Sequence, residues 1–164
     1  MYIIDLEKEG RALTELTLQE KLIQKEDHSV PVFGYNLIRE DLLKDLLGKD
    51  TPEHLYWAGK RLARKYPLHT VDEILAFFHK AGWGNLSIKS QSKQEMLFEL
   101  ESEIITDRLK SFPDCTFHLE SGFLAQQTEY QKGVLSEAFE HPRKKGSKVQ
   151  FTVKWDLKDI IEQE

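Results

Sequence analysis

The apolar residues of this chain change their spacing after Gly82-Trp83-Gly84, and this change limits the folds that the chain can adopt. Before it, apolar residues recur every three or four positions, as in amphipathic helices. After it, they alternate with polar residues, as in half-buried strands. Helices followed by paired strands are typical of an α+β fold, and 164 residues are enough for one core.

Besides a helix over residues 5–27, three helices are predicted before the change. The first runs from about Tyr35 to Gly48, a glycine suited to a left-handed helix end. Thr51-Pro52 indicates the capped start of the second, which ends before Pro67. Thr70-Val71-Asp72-Glu73 has the form of a capping box and begins the third. The apolar stripe of the first helix consists of Ile38, Leu42, Leu43, Leu46 and Leu47.

Two hairpins that flank one helix are predicted after the change. The first hairpin alternates at Leu86 and Ile88 and then at Met96, Phe98 and Leu100. The helix runs from about Cys115 to Lys132, with Asp114 as its cap and Gly133 at its end. The second hairpin has strands over residues 134–141 and 149–155. We therefore predict helices and then β-β-α-β-β, with the N-terminal helical layer packed on a four-stranded antiparallel sheet.

The domain organisation predicted from these patterns has three parts. Residues 1–30 form an N-terminal helical extension, because residues 5–27 carry a thin apolar stripe; residues 31–156 form a single α+β domain; residues 157–164 form an acidic tail. The net charge of −5 belongs to the ends, because residues 1–27 and 156–164 each sum to −3 and residues 28–155 sum to +1.

Composition and motifs exclude several classes of function. No nucleic-acid module is recognised, and no apolar run is long enough for a signal peptide or a membrane span, so we expect a cytoplasmic protein that binds no nucleic acid. The phosphate-binding glycine loops are absent. The basic residues of the second helix are best interpreted as a solvated face, and those after Pro142 as a charged turn: Lys60, Arg61, Arg64, Lys65, Arg143, Lys144, Lys145 and Lys148.

Catalytic and metal chemistry have little support in the residues. Cys115 and His118 have a spacing that could place two ligands on one helical face, but a structural zinc site needs two more. A thiol at a helix start is more easily ionised, yet no His-Asn or His-Asp pattern accompanies Cys115. We predict no catalytic residue, no metal site and no cofactor, with Cys115 as a buried thiol.

Aromatic residues are the most suggestive group, because they cluster at the predicted junctions between helices and sheet, where an apolar pocket would form. They are Tyr56, Trp57, Phe77, Phe78, Trp83, Phe117 and Phe123. Most such clusters are core, so composition alone favours packing over ligand binding.

Several longer segments resemble the YslB-like family of uncharacterised proteins from Gram-positive bacteria, over about residues 34–156. They are residues 55–68, 77–78, 81–84, 98–101, 117–125, 135–140 and 152–156. That family resembles, more remotely, vinyl-reductase-type small-molecule-binding domains and the Bet-three-like subunits of the TRAPP vesicle-tethering complex. The resemblance implies a helical layer on a four-stranded antiparallel sheet and no enzymatic activity. Many vinyl-reductase-type domains carry cysteines in the last hairpin, suspected metal ligands, whereas here Glu140 and Val149 stand near those places.

From these observations we expect a non-catalytic module that binds a small apolar molecule between helices and sheet. The expected ligand-binding residues are Trp57, Trp83, Phe117 and Phe123, with Arg64 available to an acidic head group. The alternative is an interaction or scaffold subunit without a ligand, whose helices bury an apolar face against a second copy or another protein. Residues 5–27 would then be an arm that orders on the partner. An enzyme that uses Cys115 is a third possibility.

Overall fold

A computed structural model describes residues 29–142 and 146–161 of the chain. The described fold belongs to one compact unit, Val32–Glu164. The predicted helix of residues 5–27 and the basic turn residues Arg143, Lys144 and Lys145 lie outside the described residues.

Among the described residues, three helices precede the sheet, at the three places predicted after residue 31. Helix α1 covers residues 32–47 and is α-helical over Val32–Asn36, π-helical over Leu37–Leu42 and α-helical again over Leu43–Leu47. A 3-10 turn, Gly48–Asp50, connects it to α2, Thr51–Lys65, and α3 follows at Val71–Lys80. Gly48 has a positive φ of 67° at the end of α1, as expected of a glycine there, but its ψ of −147° is not that of the predicted left-handed helix terminus.

The caps predicted for α2 and α3 have different outcomes. The Thr70 hydroxyl accepts a hydrogen bond from the Glu73 N–H at 3.2 Å, which confirms the cap of α3. The cap predicted at Thr51 is wrong, because Thr51 lies inside α2 and its hydroxyl donates to the Gly48 carbonyl instead. Pro52 still stands in the first turn of α2, where its missing N–H has no helical partner to lose.

The sheet has four antiparallel strands in the order β1-β2-β4-β3, which confirms the predicted α+β class. The strands are β1, Asn85–Gln91; β2, Glu95–Glu101; β3, Val134–Glu140; and β4, Lys148–Ile160. β4 continues to Ile160, which pairs with Val134, so the last strand extends four residues into the predicted acidic tail.

Two helices, not one, connect the hairpins. Helix α4, Glu103–Ser111, is additional to the prediction, and the Ser102 hydroxyl caps it by accepting from the Ile105 N–H. Helix α5, His118–Lys132, begins at His118, so the prediction of Asp114 as its cap is wrong. It ends, as predicted, at Gly133, whose φ is 67°.

Helix α5 is buried on nearly all sides because it packs against α2 and against β3 and β4. The inward residues of the strands, among them Phe98 and Phe151, complete the core on the other side of it. The alternating burial of β3 shows that the helices cover one face of the sheet and leave the other exposed.

Candidate functional site

Two of the five residues expected to bind a ligand lie together in the core. The rings of Trp83 and Phe123 are 5.3 Å apart at 86°, and Phe77 stacks on Phe123 at 4.6 Å. Phe78 approaches Trp83 edge-on at 5.1 Å. These are the centroid distances and angles of aromatic side chains packed against each other, so this cluster fills the space between helices and sheet.

The other three residues lie elsewhere. Phe117 is fully buried under the Arg108 guanidinium, which stands 4.4 Å from its ring centroid. Trp57 is 60% exposed on α2, and Arg64, also exposed, donates from Nε to the Gln126 side chain at 3.1 Å. Trp83 and Phe123 are therefore in contact with each other, whereas Trp57 and Arg64 lie on the surface of α2.

The clefts on the surface of the described residues include three of about 540, 520 and 330 Å³. All three lie within the size range of ligand sites. None of the three is lined by Trp57, Arg64, Trp83, Phe117 or Phe123. The smallest lies between Tyr56, His118 and the outer part of β3, and the 520 Å³ cleft crosses the outer face of the sheet.

Helix α1 has an apolar outer side. Phe33 is 72% exposed, Ile38 59% and Leu46 70%, and large apolar side chains also stand at least two-fifths exposed at Val32, Leu37 and Leu42. The outward positions between them carry Asp41 and Asp45. Three of the five residues in the predicted stripe, Ile38, Leu42 and Leu46, thus point to solvent. We call the six apolar residues 32, 33, 37, 38, 42 and 46 the α1 face.

The inner side of α1 is charged. Arg39 and Glu40 are its only two buried residues, and both pair with charges on other helices. Arg39 Nη2 donates to the two oxygens of Glu120 at 2.6 and 2.7 Å, and Arg39 Nη1 donates to the Tyr35 hydroxyl at 2.9 Å. The charged residues therefore hold α1 against α5 on this side.

Glu40 makes the second buried pair. Its Oε1 accepts from Arg108 Nε at 2.9 Å and from Arg108 Nη2 at 2.6 Å, and its Oε2 lies 3.2 Å from Lys44 Nζ. Because Arg108 lies on α4, the two consecutive residues Arg39 and Glu40 attach α1 to two different helices. A rotation of α1 that buried the α1 face would break both pairs and leave buried charges behind.

The environment of Arg39 keeps it charged. Burial alone would lower the pKa of its guanidinium, but the negative charge of Glu120 and the hydrogen bonds to Glu120 and Tyr35 raise the pKa above its ordinary value. The guanidinium of Arg39 therefore keeps its positive charge although it is buried.

A third buried pair connects α2, α5 and the edge of the sheet. Lys60 Nζ lies 2.7 Å from Glu129 Oε1, which also accepts from the Ser136 N–H on β3. The Tyr56 hydroxyl accepts from the Ala138 N–H at 3.2 Å, and burial raises the pKa of this tyrosine. Lys60 is consequently buried, which corrects its interpretation as part of a solvated basic face.

Cys115 is a fully buried thiol whose Sγ lies 3.8 Å from the Arg108 carbonyl oxygen. Within residues 29–142 and 146–161, no three histidine, cysteine or carboxylate side chains come together as a metal would require. No helix of the same residues has the length and apolar character needed to cross a bilayer.

We did not predict from the sequence that Arg39 and Glu40 are buried, or that the α1 face points to solvent. The available signal was an adjacent pair of opposite charges in the middle of an apolar helix. The side of the helix that carries such a pair cannot also be apolar. The sequence does not show whether the charged side or the apolar side is buried.

Comparison with known proteins agrees with the resemblance drawn from the sequence. Residues 32–154 match the family described as "Protein of unknown function (DUF2507)". The uncharacterized protein YslB of Bacillus subtilis is 49% identical over 129 residues, which are 79% of this chain and 87% of that protein.

Two solved structures match the chain at low sequence identity. A vinyl-4-reductase family protein from Methanocaldococcus jannaschii matches with a TM-score of 0.61 and 16% identity, over 94% of this chain and 99% of that one. A trafficking protein particle complex subunit 3 from Naegleria fowleri matches with a TM-score of 0.41 and 13% identity, over 97% and 99% of the two chains. At this identity the first likeness concerns the fold alone.

Proposed function

This chain belongs to the DUF2507 family of proteins of unknown function, and we propose that it is a non-catalytic interaction subunit that pairs with a second copy of itself through the α1 face. The observation that carries the proposal is the orientation of α1, with Arg39 and Glu40 buried and six large apolar side chains outside. Ordinary amphipathic helices have the opposite arrangement, because burial of apolar area stabilises the fold.

The size of the α1 face fits an interface. Six large side chains, about half exposed, present on the order of 500 Å² of apolar surface, which is near the upper end of what monomers tolerate. Two such faces, together with the polar residues around them, would bury the ~1,200 Å² of total accessible surface that is the lower limit for stable interfaces. Burying them in a dimer removes this area from water without any change in the fold.

A second copy suits the face better than an unrelated partner. An apolar stripe along one helix is complementary to itself, and a twofold axis places the same stripe on both sides of the interface. An antiparallel pairing of the two α1 helices also moves each Asp45 toward the opposite end of the partner helix, which separates the two Asp45 carboxylates.

Binding of a small apolar molecule between helices and sheet has less support. The expected lining residues Trp83 and Phe123 pack against each other and against Phe77, and the three surface clefts are lined by other residues. A ligand at this place would have to separate these rings.

The proposal is tested by the mass of the full chain in solution, measured by light scattering. We expect twice 19.2 kDa for the unchanged chain and 19.2 kDa for the double variant Leu37→Glu/Leu46→Glu. The matched control is Leu135→Glu on the sheet, since Leu135 is 45% exposed and Leu37 43%. This control should remain a dimer.

A monomeric unchanged chain, or a double variant that stays dimeric, would contradict the proposal. The near-ultraviolet circular dichroism of each variant shows whether its core is intact. If the double variant does not fold, the milder Ile38→Ser/Leu42→Ser pair serves instead, because both side chains are already half exposed.

A further inference from the structure

The outer face of the sheet carries a groove of about 520 Å³ between β3, β4 and the start of β2. Its apolar part is formed by Leu135 and Phe139, both about half exposed. They alternate along β3 with the buried residues Val134, Ser136 and Ala138, which face the helices. The groove therefore lies on the face of the sheet that the helices do not cover, and we call it the sheet groove.

Most of the charges around this apolar part are negative. Four carboxylates line the sheet groove, those of Glu95, Glu137, Asp156 and Asp159, and Lys154 is the one cation among the described residues that line it. Lys154 pairs in register with Glu95 on one side and Glu137 on the other, and its Nζ lies 3.7 Å from Glu95. One ammonium between four carboxylates leaves the groove with a negative potential.

The adjacent free edge of the sheet is closed to strand addition at two positions. The N–H groups of Ser136 and Ala138 point away from β4 and are already accepted by Glu129 and by the Tyr56 hydroxyl. A polypeptide that approaches β3 would have to displace these buried acceptors to extend the sheet. It can lie on the outer face of the sheet without disturbing them.

We propose that the sheet groove docks a segment of a partner protein in which a large apolar side chain is flanked by lysine or arginine residues. The apolar side chain packs between Leu135 and Phe139, and the flanking cations pair with Glu137 and with Asp156 or Asp159. Apolar contact in the centre with complementary charges at the rim is the usual anatomy of such interfaces. This site does not depend on the α1 face, so it serves a monomer or a dimer.

The test is selection from a random 16-residue peptide library displayed on phage, with the immobilised full chain as bait. We expect the selected sequences to share at least two lysine or arginine residues around a leucine, phenylalanine or tryptophan. Synthetic versions of these peptides are then measured by fluorescence anisotropy against the unchanged chain and against variants.

Binding should weaken by at least about tenfold in Phe139→Ser, and also in Glu137→Lys, which reverses one rim charge. It should also weaken as salt is raised from about 50 to 300 mM, because exposed charge pairs are screened over this range. The control Ile88→Ser removes a partly exposed apolar side chain from β1 and should bind as the unchanged chain does.

The proposal is overturned if the selected peptides lack basic residues, or if the selection enriches no sequence. It is also overturned if Phe139→Ser and Glu137→Lys bind the peptides as tightly as the unchanged chain does. The thermal unfolding of each variant confirms that it is folded. If Phe139→Ser unfolds, Leu135→Ser examines the same apolar part from the neighbouring position on the same face.

Discussion

The guanidinium of Arg39 and the carboxylate of Glu120 form a buried ion pair, with Arg39 Nη2 at 2.6 and 2.7 Å from the two carboxylate oxygens. Arg39 is 6% exposed, and Glu120 is fully buried on α5. This pair determines which side of α1 faces the fold. Because the charges are inside, the apolar residues of the same helix are outside, and the α1 face follows from this pair and from the second pair, between Glu40 and Arg108.

The first prediction concerns this pair. Arg39→Met alone and Glu120→Leu alone should each lower the free energy of unfolding by about 3 to 5 kcal/mol, because each leaves one buried charge without its partner. The double variant should recover most of the loss, since it buries no charge at this place. Urea unfolding of the four proteins, followed by circular dichroism, gives the double-mutant cycle. If the double variant loses as much free energy of unfolding as the two single variants together, the two charges do not stabilise each other.

The second prediction concerns the crossing of α2 and α5. A Cβ at Gly59 would overlap the carbonyl oxygen of Leu119, and one at Gly122 would overlap that of Tyr56. The obstacles are backbone atoms, which cannot rotate away. Gly59→Ala and Gly122→Ala should therefore each cost about 1 to 3 kcal/mol or more, although alanine favours helices by about 1 kcal/mol.

Thermal unfolding measures this cost, and Ala58→Ser is the matched control, because Ala58 is the exposed neighbour of Gly59 on α2. The control should change the melting temperature little. A stabilised Gly59→Ala protein would mean that the two helices are farther apart than described.

The third prediction concerns pH. Glu99 on β2 accepts hydrogen bonds at 3.0 Å from Lys148 and from Gln150 on β4, and these lower the pKa of Glu99 from 4.5 to about 2. A carboxylate with a lowered pKa in the folded state stabilises the protein above its unfolded pKa. This contribution is lost as pH falls through the folded value. The stabilisation by Glu99 should therefore disappear between about pH 4.5 and pH 2.

The measurement is the urea midpoint of the unchanged chain and of Glu99→Gln at several pH values from neutral to 2. The two midpoints should differ at neutral pH and converge as pH falls. Glu53→Gln, on the exposed side of α2, is the control and should follow the unchanged chain. A difference that grows toward low pH would contradict the assignment.

Local patterns were sufficient for much of the fold. Three features each depend on neighbouring residues: the Thr70 to Glu73 capping box, the positive-φ glycines at positions 48 and 133, and the strict alternation from Val149 to Trp155. The structure at these positions is determined by backbone and capping geometry within a few residues. Helix α4 was missed because it is nine residues long and its charges interrupt the apolar period.

The orientation of α1 could not be predicted in the same way. Its apolar stripe predicted a helix correctly, but which side is buried depends on Glu120 and Arg108, 81 and 68 residues away along the chain. Lys60 was misassigned for the same reason, because its partner Glu129 lies on α5. Ion pairs between distant residues leave no periodic signal in a single sequence.

If the α1 face joins two copies of this chain, a thiol placed on that face should be cross-linked to the same thiol of the second copy. Ile38→Cys introduces a thiol near the middle of α1, and the native Cys115 is fully buried. A short bis-maleimide should convert the folded protein to a species of twice 19.2 kDa on denaturing gels. Leu157→Cys, an exposed position of β4, should remain at 19.2 kDa. No cross-linked species from Ile38→Cys, or equal yields from both positions, would contradict the account.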